Sequence, residues 1–308
     1  MSRSLRIGTR GSPLALAQAD EVSSRLVRSH PGVRIETVVI RTHGDDGYRR
    51  DLGSSLDGKR AFTKRIEDAL LAREIDVAVH SLKDVPTEDV DGVALAAIPP
   101  RADPRDVIVA GAEGWRSNPA SGTKVGTSSL RRRAQLLARW PNLDVIELHG
   151  NVGTRLRHLD ARDLDAVVLA AAGLDRLQVR GRSAEPLDPA VVTPAPGQGA
   201  LAVECRSEDT DARTLLAEID DPTSRRTAEA ERAVSARIGG GCNVPFGALA
   251  TLDGGVMNLQ AVVASADGSR IVRASAVGSA DHPSPLVESV SRRLLDQGGR
   301  AILKELSP

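Results

Sequence analysis

The chain has 308 residues, 41% hydrophobic and only 2% aromatic, with 41 basic and 41 acidic side chains. That length suits two or three domains with cores of Val, Leu, Ile and Ala. The zero formal net charge, with no charged tail, argues against a general nucleic-acid or membrane-surface binder. Arginine outnumbers lysine 36 to 5, which reflects either genome composition or recognition of carboxylate or phosphate by planar guanidinium forks. Residues 1–7 contain no apolar signal-like stretch and no apolar run reaches membrane-spanning length. The two cysteines, Cys205 and Cys242, make no disulfide framework, so a reducing, cytoplasmic setting is expected. The six histidines lack metal-ligand spacing, and no metal is expected.

Leu5-Arg6-Ile7-Gly8 reads as a short strand. Ser12 caps and Pro13 opens a helix through Leu14-Ala15-Leu16-Ala17-Gln18 to about residue 29. Residues 34–41 alternate as a second strand, 64–73 are helical, and Ile75-Asp76-Val77-Ala78-Val79 is a third strand, an α/β pattern with a mostly parallel sheet. The pattern recurs. Lys124-Val125-Gly126-Thr127 and the helix after Ser128-Ser129 parallel Ile7-Gly8-Thr9 and its helix, and 164–169 parallel 75–79. Two similar lobes with a hinged cleft are expected, joined by Pro-rich crossings at 99–106 and 193–199. Beyond about residue 217, a charged amphipathic helix (225–238) precedes antiparallel strands at 247–252, 257–264 and 269–277 and a helix over 286–305. The predicted fold class is α/β: two α/β lobes with a hinged cleft and a small C-terminal α+β domain. The expected domains are 1–98 plus 196–217, 99–195, and 218–308, the last carrying Cys242.

Cys242 ends the run Gly239-Gly240-Gly241, whose missing Cβ atoms let a bulky group approach the backbone. It reads as a presented nucleophile or attachment point, or as an ordinary buried cysteine. Cys205, ending an apolar strand, reads as structural. Polar clusters follow four strands: Thr9-Arg10-Gly11-Ser12, His80-Ser81-Leu82-Lys83-Asp84-Val85-Pro86, Thr127-Ser128-Ser129 with Arg131 and Arg132, and His149-Gly150-Asn151-Val152-Gly153-Thr154-Arg155. Ligands of open α/β sheets bind beyond the carboxyl ends of the strands, where helix N-termini favour anions. Each cluster has a plainer explanation: Ser12 and Ser128 as helix caps, and Arg131-Arg132-Arg133 as a solvated helix face. Four clusters at equivalent junctions favour an anionic ligand, with several carboxylates. Asp84 is an acid among cations, suited either to proton transfer and stabilising a developing cation or to pairing with Lys83 or an arginine.

These motifs closely resemble the porphobilinogen deaminase family: Gly8-Thr9-Arg10-Gly11-Ser12-Pro13-Leu14-Ala15-Leu16, Ala78 to Pro86, Val125-Gly126-Thr127-Ser128-Ser129-Leu130-Arg131-Arg132, Gly150 to Leu156, Pro196-Gly197-Gln198-Gly199-Ala200, and Gly240-Gly241-Cys242. The resemblance runs in order from about residue 5 to 305. It implies that the first two domains are like type II periplasmic binding proteins, and that Cys242 carries a dipyrromethane cofactor through a thioether. It further implies a transferase that condenses four porphobilinogen molecules, with loss of ammonia, and releases hydroxymethylbilane by hydrolysis for haem biosynthesis. By the same resemblance Asp84 is catalytic, stabilising a cationic azafulvene. Lys83, Ser81, Thr127, Ser129, Arg131, Arg132, Asn151, Arg155 and Gln198 contact the cofactor, and Ser128 adds a hydrogen bond nearby. Arg10, Ser12, Arg176, Lys59, Phe62 and His149 contact substrate, with an ordinary core role the alternative for Phe62. The implied partners are porphobilinogen and the growing polypyrrole, with a monomeric chain.

Three positions depart from the family pattern. His149 and His43 stand where arginine is usual, and Arg60-Ala61 replaces Gly-Leu before Phe62. A neutral imidazole at 149 lacks the permanent charge and the fork of arginine. The competing readings are a non-catalytic receptor for small anions, and a family member that binds pyrroles without turning over.

Overall fold

The computed structural model describes residues 4–41, 57–111, 114–239 and 244–306, and for 57–62 the backbone alone. In chain order the first elements are β1 (Ser4–Thr9), α1 (Pro13–Ser29), β2 (Arg34–Val39), α2 (Asp57–Leu71), β3 (Val77–Ser81) and β4 (Val93–Ala97). Then come β5 (Asp106–Ala110), β6 (Lys124–Gly126), α3 (Leu130–Arg139), β7 (Asp144–Ile146), α4 (Val152–Asp160), β8 (Ala166–Ala170), α5 (Ala171–Arg176) and β9 (Ala184–Pro186). The last third holds β10 (Leu201–Arg206), α6 (Thr210–Ala217), α7 (Pro222–Ile238), β11 (Phe246–Asp253), β12 (Val256–Ala264), β13 (Ile271–Ser279), α8 (Ser284–Leu294) and α9 (Arg300–Leu306). Two compact units result, 1–102 with 199–226, and 103–198 with 227–308.

The first unit is built on a sheet of order β2-β1-β3-β10-β4, and the second contains one of order β7-β6-β8-β5-β9. Both follow one plan. In the first, β1 pairs in parallel with β2 and β3, and β10 runs antiparallel between β3 and β4. In the second, β6 pairs in parallel with β7 and β8, and β5 runs antiparallel between β8 and β9. The repeat expected from 7–9 against 124–127 and 75–79 against 164–169 is therefore real: β1 matches β6, and β3 matches β8. The sheets are mixed rather than mostly parallel, because each receives its antiparallel strand just after a crossing. The sequence reading ran the first crossing through Asp106, where β5 in fact starts.

Equivalent glycines show why the sequence folds this way at the strand ends. A Cβ on Gly8 would collide with the Ile75 side chain, and one on Gly126 would lie 2.6 Å from Leu164 Cδ1 and 2.8 Å from Leu148 Cδ2. Ile75 and Leu164 are thus the same plug in the two lobes. Ile75 itself lies outside β3, and its carbonyl accepts from the Arg206 guanidinium at 2.7 Å. Each sheet is covered on both faces, as expected for strands that read as near-continuous apolar runs. Ile7, Val77, Val79 and Val203 pack towards α1 and α6, while Ala78 and Ile75 pack against Ile66 and Leu70 of α2. Cys205 is fully buried in the first of these cores, and burial pushes its thiol pKa up to about 11, so it is inert and structural.

The C-terminal part is an antiparallel meander, β11-β12-β13, packed on α7, α8 and α9 through Val234, Leu259, Val263, Val290 and Leu294. It docks on the second lobe: the Ala248 N–H donates to the Pro194 carbonyl at 3.0 Å, and Arg273 donates to Thr193 Oγ1 at 2.9 Å and to the Val191 carbonyl at 2.8 Å. The helix expected over 286–305 is interrupted at Gly298, whose φ of 112° breaks the run between α8 and α9. The fold is thus two α/β lobes of one topology with a small C-terminal α+β domain.

Candidate active site

The strand-to-helix junctions of the second lobe form a cationic, hydroxyl-lined cluster. Ser129 is the N-cap of α3 and accepts from the Arg132 N–H at 3.4 Å; Asn151 caps α4 through the Thr154 N–H at 2.9 Å. The cap of α3 is therefore Ser129 and not Ser128, which the sequence had suggested. Ser128 instead accepts from Arg155 Nη2 at 3.2 Å, and Arg155 Nε donates to the Gly150 carbonyl at 2.9 Å, tying the two junctions together. Thr127 is buried and its Oγ1 accepts from the Ser129 N–H at 3.2 Å.

Arg131 and Arg132 are not a solvated face; both are about 95% buried. They flank one carboxylate, Asp106 at the start of β5, which is fully buried. Arg131 Nη1 donates to Asp106 Oδ2 at 2.7 Å, and Arg132 Nε donates to Oδ1 at 2.9 Å. Gln198 completes the pocket by donating from Nε2 to the same Oδ1 at 2.9 Å and to the Pro104 carbonyl at 2.8 Å. Burial alone would raise the Asp106 pKa, but the two guanidiniums outweigh it and hold the carboxyl well below the usual carboxylate range. Burial lowers the pKa of Arg132, and burial together with the Arg132 charge lowers that of Arg155 to about 10. Arg131 and Arg132 therefore share one aspartate, with Arg155 near enough to Arg132 to feel its charge, a local surplus of positive charge in a poorly solvated place. Such a surplus suits an anion.

The first lobe presents a second set. Ser12 caps α1 through the Ala15 N–H at 3.2 Å, with Arg10 half-buried beside it. Ser81 accepts from Gln18 Nε2 at 2.7 Å. Lys83 and Asp84 lie in the 3-10 turn Leu82–Asp84 after β3. The turn is pinned by fully buried Leu82, whose N–H donates to the Ala200 carbonyl at 3.0 Å, and by the Val85 N–H donating to the Leu82 carbonyl at 3.1 Å. Half-buried Asp84 thus lies between buried Leu82 and buried Val85. Beneath the turn, His80 is buried with its Nε2 3.5 Å from Glu204 Oε2 and without a hydrogen-bond partner. Burial, reinforced by the charge of Arg10, pulls the His80 pKa down to about 4; the long contact to Glu204 does not reverse this.

Arg176 and His149 also belong to the second lobe, and the remaining expected residues lie outside what the structure describes. Arg176 ends α5 and is half-buried. His149 is exposed, with 62% of its side chain open to solvent, and its Nε2 lies 3.0 Å from Glu147 Oε1. Cys242 and His43 lie outside the described residues, as do the side chains of Lys59, Arg60, Ala61 and Phe62 on α2. Asp106 is the residue that the sequence reading missed. Its available signal was an acid two residues beyond Pro104 at the start of the apolar run Val107-Ile108-Val109-Ala110.

The sequence matches the description "Porphobilinogen deaminase, dipyromethane cofactor binding domain" over residues 5–214 and "Porphobilinogen deaminase, C-terminal domain" over 226–296. The chain belongs to the porphobilinogen deaminase family. It is 46% identical over 304 residues to the porphobilinogen deaminase of Pelobacter propionicus, covering 99% of this chain and 97% of that one. It is 45% identical over 304 residues to that of Syntrophobacter fumaroxidans, covering 99% and 98%. It is 47% identical over 303 residues to that of a Roseiflexus species, covering 98% and 99%. The donor set fits the family's cofactor. A dipyrromethane bears acetate and propionate carboxylates, and the second lobe offers Arg131 and Arg132 on Asp106, Arg155 beside Ser128, and the N-termini of α3 and α4 capped by Ser129 and Asn151.

Proposed function

We propose that the two junction sets divide the work of porphobilinogen condensation, the activity that family membership assigns to this chain. The chain is a transferase of tetrapyrrole biosynthesis, a hydroxymethylbilane synthase that uses a dipyrromethane cofactor. When bound, that cofactor supplies the pyrrole α-carbon to which porphobilinogen units are joined with loss of ammonia. The observation that supports the division is the excess of buried guanidinium over carboxylate around Asp106, opposed in type by the pinned aspartate turn of the first lobe.

In this reading Cys242 tethers the cofactor through its sulfur. Arg131, Arg132 and Arg155 neutralise its carboxylates, while Thr127, Ser128, Ser129 and Asn151 orient it. Lys83 and Ser81 add contacts from the aspartate turn, and Gln198 acts from the second crossing. Arg10, Ser12, Arg176 and Lys59 bind the carboxylates of incoming porphobilinogen, Phe62 stacks on a ring, and exposed His149 makes a peripheral polar contact. Asp84 accepts pyrrole N–H groups and stabilises the positive charge that develops as ammonia leaves, which its fixed turn suits because a preorganised acceptor needs no rearrangement. The functional parts would be 1–98 with 196–217, 99–195, and 218–308, acting in a monomer.

Asp84→Asn tests the central role. The amide keeps the shape and loses the charge, so the variant is expected to fold with its cofactor and lose at least about a hundred-fold in single-turnover rate, a size typical of lost transition-state electrostatics. Near-normal single-turnover kinetics would reject the assignment.

A further inference from the structure

We propose that Asp106 is the positioning residue of the arginine pair, fixing Arg131 and Arg132 so that their remaining N–H groups meet the cofactor's carboxylates in one geometry; this rests on the functional reading above. Four observations converge on it. The carboxylate is fully buried and bonded on both oxygens, to Arg131 through Oδ2 and to Arg132 through Oδ1. Each arginine is held at a second point by backbone, Arg131 by the Thr193 carbonyl at 2.7 Å and Arg132 by the Val168 carbonyl at 2.9 Å. Gln198 commits both amide N–H groups, to Asp106 and to the Pro104 carbonyl, and so braces Asp106. Finally, the adjoining turn is fastened to the helix that precedes Cys242: Glu231 of α7, itself fully buried, accepts from the Gly197 N–H at 2.7 Å and from the Ala250 N–H at 2.8 Å.

The charge count sharpens the expectation. Asp106 cancels one of the two guanidinium charges, so in Coulomb terms its removal should strengthen attraction for an anion. Its removal also loosens two buried like charges, because each guanidinium then keeps only its backbone anchor, Thr193 or Val168. A positioning role requires the second effect to win. A role as mere counter-charge requires the first.

The test is priming of apoprotein with porphobilinogen, followed by intact mass, alongside the thermal transition of the protein. Asp106→Asn is expected to slow primer uptake about ten-fold or more. Asp106→Glu keeps the charge one methylene further out and is expected to recover part of the uptake rate. Faster or wild-type uptake in Asp106→Asn overturns the proposal, as does a lowered thermal transition with wild-type uptake. Should Asp106→Asn not fold, Gln198→Leu removes one bond to Asp106 without changing charge. It must then slow uptake several-fold in the same direction, and an unchanged rate overturns the proposal. Wild-type protein that gains no primer mass from porphobilinogen contradicts the functional reading itself, whereas a primed wild type with an equally fast Asp106→Asn contradicts only the role of Asp106.

Discussion

His80 gives the fold a specific weakness to acid. Its ring is buried, with 4% of the side chain exposed, and its pKa is drawn down to about 4 by burial and by Arg10, against an ordinary value near 6.5. As pH falls below 6.5 the unfolded chain takes up a proton that the folded chain refuses, so stability present at neutral pH is lost until the folded ring also protonates near pH 4. Full passage across this window costs about 3 kcal/mol, at about 1.4 kcal/mol per pKa unit, and the part between pH 7 and pH 5 is about 2 kcal/mol. Glutamine at 80 cannot titrate, so His80→Gln should lose about 2 kcal/mol less than wild type on acidification from pH 7 to 5. Chemical denaturation of both proteins at the two pH values measures this difference, and an NMR titration of the ring reports the pKa directly. A ring that titrates near 6.5, or equal acid losses in the two proteins, would refute the reasoning.

Two further outcomes follow from packing and exposure. Gly126→Ala places a methyl group 2.6 Å and 2.8 Å from buried Leu164 and Leu148, and overpacking of this kind should destabilise the protein by about 1–3 kcal/mol in denaturant melts; an unchanged midpoint would show that both leucines yield freely. His149→Arg restores the charge usual in the family at an exposed position paired with Glu147, and should lower KM by no more than about five-fold, in keeping with the small worth of exposed ion pairs. A parent with no turnover, rescued by arginine, would mean instead that the histidine disables the chain.

The fold was legible where local signals were strong. Ser12-Pro13 marks the start of α1, the alternation at 257–264 marks β12, and the echo of Ile7-Gly8-Thr9 in Val125-Gly126-Thr127 forecast two sheets of one topology. What the sequence did not disclose depends on contacts far along the chain. The antiparallel strand β5 opens inside a Pro-rich stretch and is recognisable only through its pairing with β8 and β9. Likewise, Arg131-Arg132-Arg133 has the look of a surface run, and only a carboxylate 25 residues away shows that two of the three point inward. The site follows the same division. The cap Ser12 is local and was readable; Asp106 and the Glu231 link to Gly197 come from tertiary packing and were not. The break at Gly298 was missed because glycine near a helix end is compatible with either continuation or a stop.

The proposed function requires that Cys242 hold a pyrrole primer on which porphobilinogen is condensed. Intact mass of the protein from cells that make porphobilinogen tests it most directly. The wild-type chain should carry the added mass of two linked pyrrole units, and Cys242→Ser should carry none. A wild-type chain of unmodified mass, or an adduct that survives in Cys242→Ser, would contradict it.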